Sequence, residues 1–356
     1  MIARRIIERG VRDLPPGYFA LVMATGIVSI AARLHGMETV AWSLFQINKA
    51  AYLILCLMVL ARLRYWRRLA ADAASHSRGA GFLTLVAATC VLGSQYVLVT
   101  AEPGAGFCFW ITGALLWLVL TYGFLAAVIT RKIKPDLKSG ITGDWLLLIV
   151  ATQSVSVLGT LTASRLPSWH GNILLAALST YLLGCALYLL VITLIFYRLT
   201  FFPLEPEEFS ATYWIAMGAA AITTLAGAAL ILGASQWSFL QETLPFLKGS
   251  VLVFWVTGTW WIPLLVILEL RKQLHAQQWL RYDPKYWAMV FPLGMYATCT
   301  YQVATVMGLH RLTAISRVFL YFALAAWIIT SWGLISVLVS ITVHPGASPS
   351  SQDHSG

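Results

Sequence analysis

Charged residues are scarce in this sequence. Asp, Glu, Lys and Arg together make up 11% of the 356 residues, whereas hydrophobic residues make up 59%. Soluble globular proteins typically carry about 25% charged residues, so the composition excludes a soluble protein of this length. It indicates a polytopic membrane protein, and the 15 Trp and 14 Tyr residues are typical of the aromatic belts at membrane surfaces.

The sequence also lacks the motifs of catalysis and of metal binding. The five cysteines fall inside apolar runs without CxxC spacing, and no HExxH motif is present. Ser235, in Gly-Ala-Ser, could be read as a nucleophile, but His275, His310 and His344 lie in predicted loops or the tail and provide no buried base. We therefore expect no catalytic residue, no metal and no cofactor. An intramembrane enzyme is kept as a distant alternative, and a structural membrane scaffold as a nearer one.

Apolar segments of membrane-spanning length recur along the whole chain. A helix needs about 20 apolar residues to cross the hydrocarbon core of a bilayer. Such segments predict an all-α integral membrane protein with ten transmembrane helices, at residues 16–35, 42–61, 82–100, 107–130, 144–163, 171–197, 212–233, 246–268, 286–307 and 318–342. We expect one ten-helix transmembrane domain over residues 1–343 and a polar, disordered cytoplasmic tail over residues 344–356.

Lys and Arg concentrate before the first predicted helix and after the even-numbered helices. Because cytoplasmic segments of membrane proteins are enriched in these residues, both termini are expected in the cytoplasm. The same bias explains the net charge of +10 without a nucleic-acid partner. Every odd-numbered helix then runs outwards and every even-numbered helix returns, which predicts five parallel helical hairpins.

An aromatic residue opens each odd-numbered helix. These residues follow one another at intervals of roughly 60 to 75 residues, which predicts five copies of a two-helix unit. Small residues cluster one to two turns after each of them, and this repetition favours a central ring of helices whose narrow inner face leaves a pore. The opening residues are Phe19, Phe82, Trp145, Trp214 and Trp287.

The polar residues inside the odd-numbered helices are neutral. This pattern argues against a cation path or a proton relay, both of which use intramembrane acids. Combined with cationic loops, it favours anions. Small residues also mark tight helix contacts, and Ser or Thr hydroxyls also bond their own helix, so both interpretations stay open at each position. The residues predicted to line or kink the pore are Thr25, Gly26, Thr89, Thr152, Gln153, Gly218, Pro292 and Gly294.

Pro292 lies inside the ninth predicted helix. Proline has no backbone N–H and its ring crowds the carbonyl four residues earlier, so we expect the helix to bend near Phe291. When the five copies are aligned on their opening residues, Phe291 is the one aromatic side chain at its level. The other four copies have Met23, Val86, Ile149 and Gly218 there.

Two stretches carry a resemblance to a known family: Pro16-Gly17-Tyr18-Phe19 and Trp287-Ala288-Met289-Val290-Phe291-Pro292-Leu293-Gly294. With the ten-span layout, they make the chain resemble the tellurite-resistance/dicarboxylate transporter family, which includes fungal malate and sulfite transporters and plant slow anion channels. The resemblance implies five hairpins around a central pore, a homotrimer, and an aromatic gate in the ninth helix at the position of Phe291. The long termini of the plant channels are absent, which implies a bacterial-type member in the plasma membrane (the bacterial inner membrane).

The leading hypothesis is passage of small anions across the lipid bilayer through a gated central pore. The candidate anions are C4-dicarboxylates such as malate, sulfite, and inorganic monovalent anions. The alternative is a proton-coupled dicarboxylate or sulfite carrier. The absence of acids inside the odd-numbered helices favours the channel, but protonation of the substrate itself would imitate coupling, so both hypotheses stay open.

Overall fold

The computed structural model describes residue 8 and residues 10–163, 169–275 and 282–343. These ranges contain helices, turns and loops, and no strand. Within them lie ten helices of 15 residues or more. We label these helices α1 Ala20–Leu34, α2 Glu38–Arg62, α3 Leu83–Val99, α4 Pro103–Ile129, α5 Leu147–Ala163, α6 His170–Phe201, α7 Ile215–Gly233, α8 Leu244–His275, α9 Trp287–Met307 and α10 Leu312–Val343.

The all-α membrane class predicted from the sequence is confirmed. Nine helical stretches in the described ranges are long and apolar enough to cross a bilayer, and they contain every long helix except α9. This helix has 21 residues and includes Pro292 as well as several threonines. The ten-span domain over residues 1–343 stays a prediction, and the predicted tail, residues 344–356, lies outside the described residues.

A single turn of 3-10 helix precedes every odd-numbered helix. Its tighter winding is common at the start of an α-helix, and two of the five turns begin with a proline, whose fixed φ suits that position. The opening aromatic residue lies in the turn in four copies and directly after it in the fifth. The turns are Pro16–Phe19, Gly79–Phe82, Gly143–Leu146, Ala211–Trp214 and Pro284–Tyr286.

The odd-numbered helices form an inner ring. They contact one another in the cyclic order α1, α3, α5, α7, α9 and back to α1, and each also packs against the even-numbered helix that follows it in the chain. Burial follows this division: the most apolar part of the α5 span is 94% buried, whereas that of α10 is 11% buried. Large apolar side chains cover the exposed faces of the outer helices, as expected for surfaces that contact lipid.

Candidate functional site

Two cavities lie along the inner ring. The first, which we call the neutral cavity, has a volume of about 200 Å³ and is lined by side chains from all five inner helices. Its lining contains no Asp, Glu, Lys, Arg or His. The second, the charged cavity, has a volume of about 160 Å³ and is lined by the starts of the same helices. Arg78, Asp144 and Lys285 are part of its lining.

One face of α9 runs past both cavities. Phe291 lines the charged cavity, and Met295, four residues later, lines the neutral cavity. Residues spaced by three or four share one side of a helix, so Phe291 lies on this face at the boundary between the cavities. Its side chain is 2% exposed. The lining residues of α9 follow this spacing: Ala288, Phe291, Met295, Thr298 and Gln302.

The other inner helices offer mostly small side chains at the same boundary. In α3, the lining residues Thr84 and Val91 are separated on their face by Ala87. The corresponding intermediate positions are Val150-Ala151 in α5 and Gly218-Ala219 in α7. The large side chains at this level are Phe291 and Met23, which both line the charged cavity. Phe291 and Met23 therefore supply most of the bulk between the two cavities.

Hydroxyl groups provide most of the polarity of the neutral cavity. Each donates a hydrogen bond to a carbonyl oxygen one turn earlier in its own helix, at 2.7 to 2.9 Å. Their oxygen lone pairs remain, and a hydroxyl hydrogen can rotate towards a new acceptor. The Gln236 side chain adds a buried Oε1 atom without a hydrogen-bond partner. The four hydroxyl residues are Ser94, Ser154, Thr160 and Thr298.

The charged cavity carries two cations and one carboxylate. Arg78 is exposed and forms an ion pair with Asp72 at 3.0 Å. Lys285 is also exposed, at the start of the turn before α9. Asp144 is partly buried, and its Oδ2 atom accepts a hydrogen bond from the Thr142 hydroxyl at 3.2 Å. The cationic excess favours the approach of anions to this end of the ring.

Three predicted pore threonines lie at contacts between inner and outer helices. Thr25 Oγ1 accepts a hydrogen bond from the indole of Trp327 in α10, and Thr152 Oγ1 accepts one from Trp117 in α4, each at 2.9 Å. Thr89 shares a hydrogen bond of 2.9 Å with the Tyr52 hydroxyl of α2. None of these threonines belongs to the lining of either cavity.

The remaining predicted residues also occupy contacts between helices. A Cβ atom on Gly218 would lie 2.9 Å from Pro292 Cγ, and one on Gly294 would lie 2.9 Å from Ile27 Cγ2. Gly26 faces the Val91 side chain at still closer range. These glycines therefore permit the inner helices to approach each other, and α9 stays helical through Pro292.

Gln153 is buried between helices as well. Its Nε2 atom donates to the Tyr181 carbonyl oxygen at 3.1 Å and to Thr223 Oγ1 at 3.3 Å. Of the residues predicted from the sequence, Phe291 is the one that lines either of these two cavities. Counting in steps of three and four residues from Phe291 would have identified Met295 and Thr298.

The fold defines a multi-pass membrane protein with two cavities along its inner ring. The model of the voltage-dependent anion channel family matches residues 13–335. The chain belongs to this family, which confirms the resemblance found in the sequence and places the protein among membrane transporters and anion channels. The names of the family and of its members point to a transporter or channel, which is not an enzymatic activity.

The chain is also similar to proteins from two microorganisms. An uncharacterized membrane protein of Mycobacterium tuberculosis is 36% identical over 162 residues, which are 46% of this chain and 82% of that protein. Two uncharacterized transporters of Methanocaldococcus jannaschii match more of the chain. One is 24% identical over 331 residues, which are 90% of this chain and 93% of that transporter. The other is 25% identical over 304 residues, which are 82% of this chain and 84% of that transporter.

Proposed function

We propose that this protein passes small anions across a lipid bilayer through the neutral and charged cavities, with Phe291 as the gate between them. The observation that carries the proposal is the position of Phe291, which lies at the boundary of two cavities lined by the same five helices. Removal of one aromatic ring at this level would join the cavities. The substrates in this proposal are C4-dicarboxylates such as malate, sulfite, and inorganic monovalent anions.

The electrostatics of the lining support anions over cations. Lys285 attracts anions to the charged cavity, and Arg78 does so more weakly because it forms an ion pair with Asp72. In the neutral cavity, rotating hydroxyls replace part of the hydration shell of an anion without a fixed charge that would trap it. A cation would meet no carboxylate in the neutral cavity. The energetic preference along the path is therefore for small anions.

A proton-coupled carrier is the second candidate, and Asp144 is the observation that favours it. This carboxylate lines the same cavity as Phe291, and acids at such positions bind and release protons in many coupled carriers. Against it, no acid or histidine continues the path in the neutral cavity. The channel is therefore the function that the described lining supports best.

We further propose that the protein is a homotrimer in the bacterial inner membrane with both termini in the cytoplasm. The concentration of Lys and Arg in the segments next to the charged cavity supports this orientation. A cysteine introduced at Ser75 should then react with a membrane-impermeant reagent from the cytoplasmic side, and one at Gly104 from the opposite side. Reaction of both from the same side would contradict the arrangement as parallel hairpins.

Flux measurements in proteoliposomes test the proposed function. Purified protein should pass chloride, nitrate, sulfite and malate far faster than Na⁺ or K⁺, and the reversal potential should follow the anion gradient. A potential that follows the potassium gradient would overturn the proposal. Repeating the assay with malate and a pH gradient as the sole driving force separates the two candidates, provided that both pH values lie well above the carboxyl pKa values of malate so that little substrate is protonated. Under that condition only the carrier would accumulate the anion against its own gradient.

A further inference from the structure

A short helix, Trp66–Ala73, follows α2 after the turn Leu63–Tyr65. By exposure, the residues of the turn and the short helix divide into three groups, which we call faces. Tyr65, Leu69 and Asp72 are the less exposed ones and lie against the protein. Leu63 and Trp66 form an exposed apolar face, and the remaining face carries three exposed arginines, Arg64, Arg67 and Arg68.

The apolar face continues the outer surface of α2. Leu57 and Leu60 in α2 are 57% and 61% exposed, and Leu63 and Trp66 are 52% and 63% exposed. These residues extend from the end of α2 through the turn Leu63–Tyr65 to the first residue of the short helix, and we call this series of exposed apolar side chains the stripe. Because the outer surface of α2 faces lipid in a membrane protein, the stripe leads from the hydrocarbon region to the membrane surface, where tryptophan is enriched.

Further cations from the end of α4 lie at the C-terminal end of the short helix. The Arg131 side chain donates to the Ala74 carbonyl oxygen at 3.1 Å, which holds Arg131 at the end of the short helix, and Lys132 follows as an exposed residue. The Arg67 guanidinium lies 5.7 Å from the ring centre of Trp66. Arg68 forms an ion pair with Asp13 at 3.2 Å, so Arg64 and Arg67 carry most of the available charge.

The protein-facing side fixes the orientation of the short helix. Asp72 forms ion pairs with Arg62 and Arg78. Arg62 is 2% exposed, and a buried charge of this kind is very costly without its partner. The ion pair therefore keeps the arginine face and the apolar face turned outwards, as a preformed binding surface requires.

We propose that Leu63–Ala73, together with Arg131 and Lys132, binds the headgroup of an anionic phospholipid of the surrounding bilayer. Arginines bind a phosphate through paired hydrogen bonds, while Trp66 and Leu63 lie at the level of the upper acyl chains. Charge complementarity and continuity with the lipid-facing stripe of α2 select this occupant. An amphipathic helix with clustered arginines next to a membrane span is a recognised pattern for such lipids.

Native mass spectrometry of the full-length protein, released from nanodiscs, tests this site. Discs of phosphatidylglycerol are compared with discs of phosphatidylcholine, for wild type and for the double variant Arg64→Gln with Arg67→Gln. Each arginine near a membrane surface adds roughly fivefold to the affinity for anionic lipid, so the double variant should retain phosphatidylglycerol roughly 30-fold less well. Retention of phosphatidylcholine should not change.

The matched control removes two exposed cations elsewhere, with Lys248→Gln and Arg311→Gln, and should leave retention of phosphatidylglycerol at the wild-type level. Equal loss in the control would show a general effect of net charge and overturn the site, as would unchanged retention in the double variant. A change of oligomeric state in the double variant would assign the surface to a second copy of the chain instead. Wild-type protein at high salt gives a second measurement that needs no variant: it should release phosphatidylglycerol selectively, and salt-independent retention would contradict the proposal.

Discussion

The indole N–H of Trp327, in the last helix, donates to the hydroxyl oxygen of Thr25, in the first helix, across 302 sequence positions and at 2.9 Å. The same type of hydrogen bond recurs around the ring: the Tyr52 side chain is hydrogen-bonded to Thr89, and the Trp117 indole donates to Thr152. In each case an outer helix is bonded to the inner helix of the following repeat. The Trp327–Thr25 bond closes this cycle by joining the fifth repeat to the first.

The closing bond should be measurable as a coupling between its two residues. Trp327→Phe keeps most of the ring but removes the N–H donor, and Thr25→Val removes the acceptor. Hydrogen bonds between membrane helices contribute about 0.6 kcal/mol on average, so a double-mutant cycle on reversible unfolding in mixed micelles should give a coupling of about that size. Trp332, 73% exposed on the same helix, is the matched control: Trp332→Phe should be neutral and additive with Thr25→Val. Full additivity of Trp327→Phe with Thr25→Val would show that the bond contributes nothing.

Phe291→Ala should raise anion flux severalfold in protein that remains assembled, because the substitution opens the level between the two cavities. Phe291→Leu should give a smaller increase, since leucine fills much of the same space. Liposome flux and single-channel conductance are measured for both Phe291 variants.

Phe45, which is 1% exposed in α2 and in edge contact with Tyr96, provides the control. Phe45→Ala should destabilise the protein by about 3–5 kcal/mol without increasing the flux of the folded fraction. Unchanged flux in well-assembled Phe291→Ala would show that the Phe291 ring contributes to packing and is not a gate.

Gly218→Ala should destabilise the inner ring. The new Cβ atom would lie 2.9 Å from Pro292 Cγ, and overpacking of a tight core costs about 1–3 kcal/mol. Gly123 in α4 has no atom within 4 Å of the equivalent position, so Gly123→Ala should instead stabilise the protein by about 0.4–1 kcal/mol. The measurement is the free energy of unfolding of each variant relative to wild type under identical conditions. Opposite signs are expected, and a neutral Gly218→Ala would mean that α7 and α9 separate easily.

His35 should make stability fall as the pH is lowered. Its Nε2 atom lies 2.7 Å from Ser316 Oγ, and that hydroxyl donates to the Ala297 carbonyl oxygen, so His35 is the donor to Ser316. Burial, and next the charge of Arg317, lower the pKa of His35 in the folded protein. The unfolded chain therefore binds the proton more readily. The stabilisation is complete above the ordinary pKa of about 6.5 and is lost as the pH falls towards the lower folded value.

Unfolding measured between pH 7.5 and pH 5 tests this effect. Burial also lowers the pKa of His76, which contributes with the same sign, so His35→Gln should reduce the pH dependence without abolishing it. An unchanged slope in His35→Gln would contradict the assignment.

Composition and the length of the apolar runs were enough to predict the membrane class, because a bilayer requires about 20 apolar residues in each helix. The motif around Phe291 was enough to indicate the family. The lining residues were harder to predict. Thr25 and Thr298 are both threonines inside inner helices, yet Thr25 contacts Trp327 of an outer helix and Thr298 lines the neutral cavity.

The sequence by itself therefore determined the class of the protein and its repeated helix starts, and it proposed Phe291 as a gate, which stays a prediction. Only the tertiary structure decided which side of each inner helix faces the cavities. The physical reason is that these helices are buried on every side and apolar all round, so hydrophobic periodicity does not mark an inner face. Their rotation is set by close contacts such as Gly218 with Pro292 and by hydrogen bonds to outer helices from distant parts of the chain.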